Sequence, residues 1–392
     1  MSDRTVVVQN EEFTPMKKRL GQLVATAVAT AASMTLFVAP ASASPRDHGA
    51  AVTPVFVQTD AADGNTIVSY DRTASGALTQ RGVYATGGRG GKLEGAVVDN
   101  LASQGSLTYD RTRRLLYAVN AGSDTITVFS VRGDQLVQRQ VISSGGDFPV
   151  SVAVHGNLVY VLNALNGGSV QGYLNIAGHL VKVPSWHRNL GLDPVAAPQF
   201  THTPGQVGFT PDGSKLIVTT KAGGNSIEVF PVGLLGIAAK PVVATDPGAV
   251  PFGFAFDQAG RLVVTEAGPN SVATYEIGRN AKLTKLDNQA TGQAATCWIA
   301  ATGNHVYAAN AGSGSLTGLR VGRDGSLTSV STTATGAGTV DVSISSDNKF
   351  LYAQTGAAGG VDAFRVNTDG SLSKVGSVIV PGAIGGEGIV AL

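Results

Sequence analysis

A repeat of about 45 residues dominates this sequence and limits the possible folds more than any other feature. Its clearest copy is Gly205–Val232, with the sequence GQVGFTPDGSKLIVTTKAGGNSIEVFPV. Short β-branched runs alternate here with Pro-Asp-Gly and Gly-Gly-Asn turns, which is typical of antiparallel strands joined by tight turns. The second strand of the unit recurs seven times, as VFVQT (55–59), LYAVN (116–120), VYVLN (159–163), LIVTT (216–220), LVVTE (262–266), VYAAN (306–310) and LYAQT (351–355).

The spacing of these copies predicts an all-β fold, a seven-bladed β-propeller of four-stranded blades. Successive copies begin 61, 43, 57, 46, 44 and 45 residues apart, so two connections carry insertions. Four short strands in each period of this length are typical of a propeller blade. Only six copies have a first strand ahead of the second, whereas the C-terminal GIVAL (388–392) fits that pattern with no second strand after it. We therefore expect GIVAL to close the first blade, whose other strands come from residues 54–85, so that no inner edge is left free.

The N-terminus is expected to direct export. Met16-Lys17-Lys18-Arg19 is a basic segment, Leu23–Val38 is apolar, and Ala41-Ser42-Ala43 resembles a cleavage site. The sequence thus predicts a signal peptide over residues 1–43, with Met16 as the alternative start, a linker over 44–53 and the propeller over 54–392. The expected location is secreted or cell-envelope, outside the cytoplasm.

Charge and cysteine content narrow the classes of partner. The chain has 28 basic and 27 acidic residues, and loss of residues 1–43 would leave 24 of each. A neutral chain argues against nucleic acid and, after processing, against a membrane surface as a partner. A single cysteine, Cys297, means that stability does not depend on disulfides. Because ring closure satisfies the inner strand edges, we expect a monomer. The expected partner is a small molecule.

Two segments, LYAVNAGSDTITVFSV and FTPDGSKLIVTTKAGGNSIEVFPV, resemble the lactonase-type seven-bladed propeller family, which includes bacterial 6-phosphogluconolactonase and the fungal carboxymuconate-lactonizing enzyme. The resemblance extends over nearly all of residues 50–392 and rests on blade scaffolding. It implies hydrolysis of a lactone or a related cyclisation. Phosphorylated gluconolactone is an unfavourable substrate here, because export is predicted and the rim lacks an arginine cluster.

Strand order predicts which residues surround the central channel. In each blade the first strand starts, and the second ends, at the same rim. The second-strand ends are Thr59, Asn120, Asn163, Thr220, Glu266, Asn310 and Thr355. The first-strand starts are Ser106, Ser151, Gln206, Gly253, Trp298, Asp341 and Gly388.

Carboxylates are rare in these two rings, so those that occur are candidates for acid–base catalysis. We predict Glu266, Asp341 and Lys221 as catalytic residues, with a carboxylate as general base toward water and the lysine stabilising an oxyanion. The predicted ligand-binding residues are Gln206, Asn310, Asn163, Asn120, Trp298 and His202. The alternative is that these polar side chains are hydrated or satisfy amides at the strand ends.

No cofactor is expected, and Ca²⁺ is a minor alternative. Glu266, Asn163, Asn310 and Asp341 offer oxygen ligands of the kind that Ca²⁺ prefers. The six histidines do not fall at zinc-ligand spacing.

The two insertions, Thr86–Ser103 and Pro184–Pro204, should lie on the same rim and are long enough to form binding loops. Trp186, His187, Arg188 and His202 are candidates to cover the channel, although a solvated decoration explains them equally well.

Other recurrent residues are assigned to scaffolding. Cys297 is expected to be a buried, inert thiol. Inter-blade packing explains Tyr117, Tyr160, Tyr307 and Tyr352, and turn capping explains Asp110, Asp212 and Asp257.

The sequence therefore predicts an exported, lactonase-like propeller that hydrolyses a lactone at the channel mouth. The alternative is a secreted propeller that binds a ligand or a protein without catalysis, for which an exposed apolar patch would be the distinguishing feature.

Overall fold

The computed structural model describes residues 53–233, 236–237 and 239–392. The predicted signal peptide and almost all of the predicted linker lie outside these residues. The described part of the chain forms seven antiparallel sheets, which are the seven predicted blades. Within it, no helix is long and apolar enough to cross a membrane.

The strands of the first four blades are given from the innermost outward. Blade 1 consists of Ile389–Ala391, Pro54–Gln58, Thr66–Arg72 and Leu78–Ala85. Blade 2 consists of Leu107–Asp110, Leu115–Asn120, Thr125–Arg132 and Gln135–Ser143; blade 3 consists of Pro149–His155, Leu158–Asn163, Ser169–Ile176 and His179–Asn189. Blade 4 consists of Gln206–Phe209, Lys215–Thr219, Ser226–Gly233 and Val242–Thr245, with Gly236–Ile237 as an extra pairing segment.

The other three blades are regular. Blade 5 consists of Pro251–Phe256, Leu262–Glu266, Ser271–Ile277 and Leu283–Ala290. Blade 6 consists of Thr296–Thr302, His305–Asn310, Ser315–Val321 and Leu327–Ala334; blade 7 consists of Thr339–Ile344, Phe350–Thr355, Gly360–Val366 and Leu372–Ile379. The described helices are the one-turn segments Ala121–Ser123, Gln199–His202 and Lys221–Gly224.

The C-terminal strand closes the ring as predicted. It pairs antiparallel with the second strand of blade 1, with Val55 opposite Ala391 and Val57 opposite Ile389. The innermost strands of successive blades contact each other in order, and the strand from the C-terminus contacts the inner strands of blades 7 and 2. The first strands therefore surround the central channel, as the spacing of the repeats predicted.

Buried side chains fill the spaces between neighbouring blades. Phe56 of blade 1 packs in one cluster with Leu116 and Phe129 of blade 2. Burying such aliphatic and aromatic side chains contributes about 1.5–3 kcal/mol each. In blade 2, the second strand is buried along its whole length, whereas the outermost strand is largely exposed or half-buried.

The turn residues behave as predicted. In the Pro211-Asp212-Gly213 turn, Gly213 has φ of +70°, a value that costs glycine little. The Asp212 carboxylate accepts the backbone N–H of Ser214 at 3.0 Å. Asp110 and Asp257 accept backbone N–H groups in the same way, so all three aspartates cap turns.

Each of the four recurrent tyrosines links its own blade to the next blade in the ring. All four are buried, and each hydroxyl also makes a hydrogen bond across the blade interface. Tyr307 donates to Gly370 O at 3.0 Å, and Tyr352 donates to Gly76 O at 2.9 Å. Tyr117 accepts from the Asn175 amide at 2.6 Å, and Tyr160 accepts from Ile237 N at 3.1 Å. The predicted packing role is confirmed, and each tyrosine hydroxyl adds a hydrogen bond to the neighbouring blade.

Tyr352→Phe should lower the free energy of unfolding by about 1–2 kcal/mol, because Gly76 O would then lack a buried partner. Tyr84→Phe is the matched control, since the Tyr84 hydroxyl reaches Asp134 O only at 3.4 Å in a partly exposed position. Urea denaturation measures both. Equal effects of the two substitutions would contradict a stabilising role for the inter-blade hydrogen bond.

Candidate functional site

Side chains at the second-strand ends bind mainly within their own blades. Asn120 Nδ2 donates to the hydroxyls of Thr125 and Thr127 at 3.1 and 2.9 Å. Asn310 Nδ2 donates to those of Ser315 and Thr317 at 3.1 and 3.0 Å. These two predicted ligand-binding residues therefore hold the start of the third strand against the second through side-chain hydroxyls.

Glu266 follows the same pattern. It is 2% exposed, and its carboxylate accepts hydrogen bonds from Ser271 at 3.1 Å, Tyr275 at 2.7 Å and Asn288 at 2.5 Å. Lys285 Nζ lies 2.8 Å from the carboxylate. Because four donors surround its two oxygens, Glu266 has little capacity left to bind a ligand or activate water.

Glu266 borders a cavity of about 200 Å³ between blades 4 and 5. Asp246 lies on the other side of this cavity, and its carboxylate is 2.6 Å from the same Lys285 ammonium. The lysine thus bridges two carboxylates on neighbouring blades. The structure does not bring Glu266 into contact with Asp341 or Lys221, the other two residues predicted as catalytic.

The remaining predicted ligand residues fall in three places. Asn163 is fully buried in blade 3, where its amide donates to Ser169 Oγ at 3.4 Å. Gln206 joins the inner strands of blades 4 and 5, since its Oε1 accepts Phe254 N at 2.6 Å. His202 ends the short helix Gln199–His202, and its Nδ1 lies 3.0 Å from Pro198 O.

Asp341 and Lys221 belong to a buried group at the centre of the ring. With them lie Asp60, Asp99 and Glu387, three carboxyl groups that sequence reasoning missed. None of the five residues is more than 5% exposed. Four carboxyl groups and one ammonium in a space closed to water define the candidate site, which we call the central cluster.

Five separate segments of the chain supply the central cluster. Asp60 and Lys221 occupy the same repeat position, one residue after the second-strand ends of blades 1 and 4, and both have positive φ values of 53° and 48°. Asp341 lies on the inner strand of blade 7, and Glu387 precedes the C-terminal strand. Asp99 comes from the first insertion. Blades distant in sequence therefore meet at one point.

Backbone amides hold most of these carboxyl groups. Asp60 Oδ2 accepts Glu387 N at 2.7 Å. Asp341 accepts Val342 N at 2.9 Å and Ile389 N at 3.2 Å, which ties it to the closing strand. Two carboxyls of the cluster thus orient the segment that closes the ring.

Glu387 is bound to the first insertion. Its Oε2 accepts Ser103 N at 3.1 Å, and its Oε1 accepts the Ser103 hydroxyl in a very short contact. The neighbouring charge of Asp99 helps to raise the pKa of Glu387, so the protonated form of Glu387 is favoured. Asp99 Oδ2 is buried and has no hydrogen-bond partner among the described residues. A proton on Glu387 therefore lowers the repulsion between the two carboxyls.

Burial controls the protonation of the central cluster. Desolvation raises the pKa values of Asp60 and Asp341 to about 7, and neighbouring carboxylates add to the rise. The pKa of Glu387 is raised well above its ordinary value by desolvation and by the charge of Asp99. Desolvation also lowers the pKa of Lys221 to about 7, although Asp99 and Glu387 oppose this. Acids and a base that titrate near neutrality are typical of functional sites.

Lys221 fastens both insertions over the central cluster. Its Nζ donates to Ala102 O of the first insertion at 2.6 Å. It also donates to Phe200 O and Thr203 Oγ1 of the second insertion at 2.6 and 3.0 Å. The insertions bind each other too, since Phe200 N donates to Glu94 O at 3.2 Å. Together they cover the cluster, which agrees with the prediction that insertions lie on this rim.

Part of the predicted cover lies elsewhere. The outermost strand of blade 3 extends to Asn189, so Trp186, His187 and Arg188 belong to a strand and not to the loop. Trp186 stacks on Tyr160 with ring centroids 6.0 Å apart, and Arg188 binds Ile237 O at 3.0 Å. The prediction that these three residues cover the channel was wrong because the pairing of this strand continues beyond the point where the loop was placed.

Trp298 and Cys297 form an apolar side of the central cluster. Trp298 Nε1 donates to Ser103 O at 2.5 Å, and its ring packs 4.9 Å from that of Phe252. Desolvation raises the pKa of the Cys297 thiol to about 12, so the thiol is protonated and inert, as predicted.

Among the described residues, no group of three or more His, Cys, Asp or Glu side chains is arranged to hold a metal ion. Glu266, Asn163 and Asn310, named as Ca²⁺ ligands from the sequence, are hydrogen-bonded to serine side chains in three separate blades.

Two features of the sequence could have pointed to the missed residues. Asp60 and Lys221 are the only charged residues at their repeat position, where the other copies have Ala121, Ala164, Ala267, Ala311 and Gly356. Glu387 stands directly before the closing strand, at the channel end of blade 1. Asp99 carried no comparable signal, because its place depends on how the first insertion folds.

Comparison with known proteins identifies the family. Residues 66–384 match the family model described as Lactonase, 7-bladed beta-propeller. This protein belongs to that family, and the resemblance inferred from the blade sequences is confirmed. No curated protein matches the chain at a significant level of sequence similarity.

Solved structures agree on the fold. A putative 6-phosphogluconolactonase from Bacteroides uniformis superposes with a TM-score of 0.72 at 16% identity, covering 88% of this chain and 100% of the other. The periplasmic gluconolactonase PpgL from Pseudomonas aeruginosa gives a TM-score of 0.72 at 18% identity, covering 87% and 99%. A protein from Lactobacillus plantarum gives 0.71 at 19% identity, covering 87% and 99%. These likenesses show that this chain shares the fold of the three proteins.

Proposed function

We propose that this protein is an exported hydrolase that opens an unphosphorylated lactone at the central cluster. The observation that carries the proposal is the pair of buried carboxyls Asp99 and Glu387, which lies with the buried Lys221 in the centre of a lactonase-family ring. Two carboxyls whose environments separate their protonation states can serve as base and acid in one reaction. The N-terminal sequence supports export, as does the periplasmic location stated for PpgL.

The proposed reaction uses the ionised and the protonated carboxyl in turn. Asp99 as carboxylate removes a proton from water, and the water oxygen attacks the lactone carbonyl carbon. The Lys221 ammonium stabilises the negative charge that develops on the carbonyl oxygen. When the ring C–O bond breaks, the Glu387 carboxyl donates its proton to the departing oxygen. The proton gained by Asp99 then passes to the neighbouring Glu387, which restores the pair.

The charges of the central cluster support an uncharged substrate. Its described members include one cation, Lys221, and four carboxyl groups, with no arginine to bind a phosphate. Carboxyl oxygens accept hydrogen bonds from hydroxyl groups. A hydroxylated, neutral lactone fits this chemistry better than a phosphorylated one.

The test is a hydrolysis screen of the purified protein against gluconolactone, aromatic lactones and acyl-homoserine lactones, with pH-indicator readout and with Ca²⁺ or a chelator in parallel. Asp99→Asn and Glu387→Gln should each reduce kcat by about 100-fold or more. Glu266→Gln is the matched control, because this buried carboxylate lies outside the central cluster and should retain turnover. Ca²⁺ should have no effect.

Each other outcome has a distinct meaning. Activity that disappears with Glu266→Gln but survives Glu387→Gln would move the site to the cavity between blades 4 and 5. Activity that survives every substitution would reject acid–base catalysis by these carboxyls. If no lactone is hydrolysed, the alternative from the sequence, a propeller that binds without catalysis, becomes the better account.

A further inference from the structure

The cover over the central cluster is attached to the ring by apolar packing of buried residues such as Leu101, by backbone hydrogen bonds such as that from Asn100 N to Gly385 O at 2.8 Å, and by ionisable groups. The first insertion contributes Asp99, whereas the ring contributes Asp60, Asp341 and Glu387, so carboxyls face each other across the contact. Lys221 is the cation of this group, and it binds both insertions. Cys297, a protonated thiol, completes the titratable groups that face Asp99 and Lys221.

We propose that the two insertions form a pH-operated cover, closed in acid and opening toward neutral pH as the carboxyls of the central cluster lose their protons. The proposal does not depend on lactone hydrolysis. It concerns access to the buried centre, whatever the ligand.

The closed form requires bound protons. While Glu387 keeps its proton, the Asp99 carboxylate faces a neutral neighbour at this position. When that proton leaves, Asp99 on the cover faces three carboxylates on the ring at a site from which water is excluded. The hydrogen bonds from Ser103 to Glu387 become stronger with ionisation, but they oppose the mutual repulsion of four charges with only one counter-charge.

Linkage gives the sign of the pH dependence. Asp60 and Asp341 have raised pKa values in the closed form and would return toward ordinary values in an open, hydrated form. The closed form therefore binds more protons between about pH 4 and pH 7, and it loses stability relative to the open form as the pH rises through that range. Lys221 acts in the opposite direction above about pH 7, because its neutral amine is easier to bury than the ammonium. Opening should thus be greatest near neutrality.

Trp298 reports directly on the cover. Its indole N–H donates to Ser103 O of the first insertion, and the side chain is 3% exposed. The protein has two tryptophans, so Trp186→Phe leaves Trp298 as the single tryptophan, which is excited selectively over the tyrosines. Trp186 lies on the outer strand of blade 3, where its ring stacks on Tyr160.

The experiment measures acrylamide quenching of Trp298 in the full chain carrying Trp186→Phe, from about pH 5 to about pH 8. We expect the quenching constant to rise about threefold or more over this range, with unchanged near-ultraviolet circular dichroism from the blades. Glu387→Gln, which removes the ionisation and keeps the hydrogen-bonding shape, should flatten the rise. Glu228→Gln is the matched control: burial also raises the pKa of Glu228 to about 7, but it lies on the third strand of blade 4.

Three results would overturn the proposal: quenching independent of pH, the same rise in Glu387→Gln, or a loss of the rise in Glu228→Gln. If Glu387→Gln fails to fold, hydrogen exchange of the Trp186→Phe chain replaces it. Residues 97–104 should then lose protection as the pH rises, after correction for intrinsic rates, while residues 305–321 of blade 6 keep theirs. A loss shared equally by both segments would indicate global destabilisation and reject the cover.

Discussion

Deletion of residues 388–392 is expected to abolish cooperative folding of the propeller. The deleted strand contains the buried Ile389 and Ala391, and its backbone is hydrogen-bonded to blade 1 on one side. On the other side, Ile389 N donates to Asp341 and Ala391 N donates to Ser343 Oγ at 3.0 Å. The lost burial and hydrogen bonds amount to about 5 kcal/mol or more, a large fraction of the stability of a typical domain.

The deletion would also expose the edge of Pro54–Gln58 to pairing with other molecules. We therefore expect aggregation and the loss of a sigmoidal transition in thermal and urea unfolding. The control is a permuted chain that begins at residue 382, continues through Leu392 and a short linker to residue 53, and ends at residue 381. Leu392 N already binds Pro54 O at 2.9 Å, so a short linker can span the gap. A deleted chain that unfolds like the intact one would disprove closure by this strand.

Lys221→Met should destabilise the protein by about 3–5 kcal/mol near pH 7, which is typical when one partner of a buried charge pair is removed. The substitution leaves Ala102 O and Phe200 O without their donor, and it removes the counter-charge of Asp99 and Glu387. Below about pH 5 the loss should be smaller, because the carboxyls with raised pKa values are then protonated and need no cation.

Urea denaturation at about pH 5 and about pH 7 measures this difference. Lys285→Met is the matched control, since Lys285 also bridges two carboxylates but is 35% exposed and lies outside the central cluster. Its removal should cost less, because water screens Lys285 and Asp246. A Lys221→Met variant with the stability of the intact protein at both pH values would mean that the buried ammonium contributes nothing to holding the insertions.

The fold was predictable because a propeller blade is a local structure. Each period contains its own strands, turns and cross-strand partners, so the pattern of LYAVN or LIVTT carries most of the information needed. The assignment of GIVAL to the first blade depended on counting alone, and the pairing of Val57 with Ile389 confirms it. Tyr352 and its equivalents could be assigned to packing for the same reason.

The candidate site was only partly predictable, because it brings together segments from different blades and from an insertion. The spacing of the repeats does not show which of these segments meet. Position in the repeat identified Asp341, Lys221 and Trp298. It also selected Glu266, because strand order gives the rim at which a residue lies but not the direction of its side chain. In the structure the Glu266 carboxylate turns along its own blade toward Tyr275 and Lys285.

The sequence by itself determined the number of blades, the strands of each blade and the closure of the ring, because these depend on short-range periodicity and on pairing between neighbouring segments. Only the tertiary structure decided which charges meet. Asp60 and Glu387 come from opposite ends of the propeller sequence, Lys221 from its middle, and Asp99 from an insertion without a repeat pattern. Their protonation follows from shared burial, a property of the assembled ring that no single segment of the sequence contains.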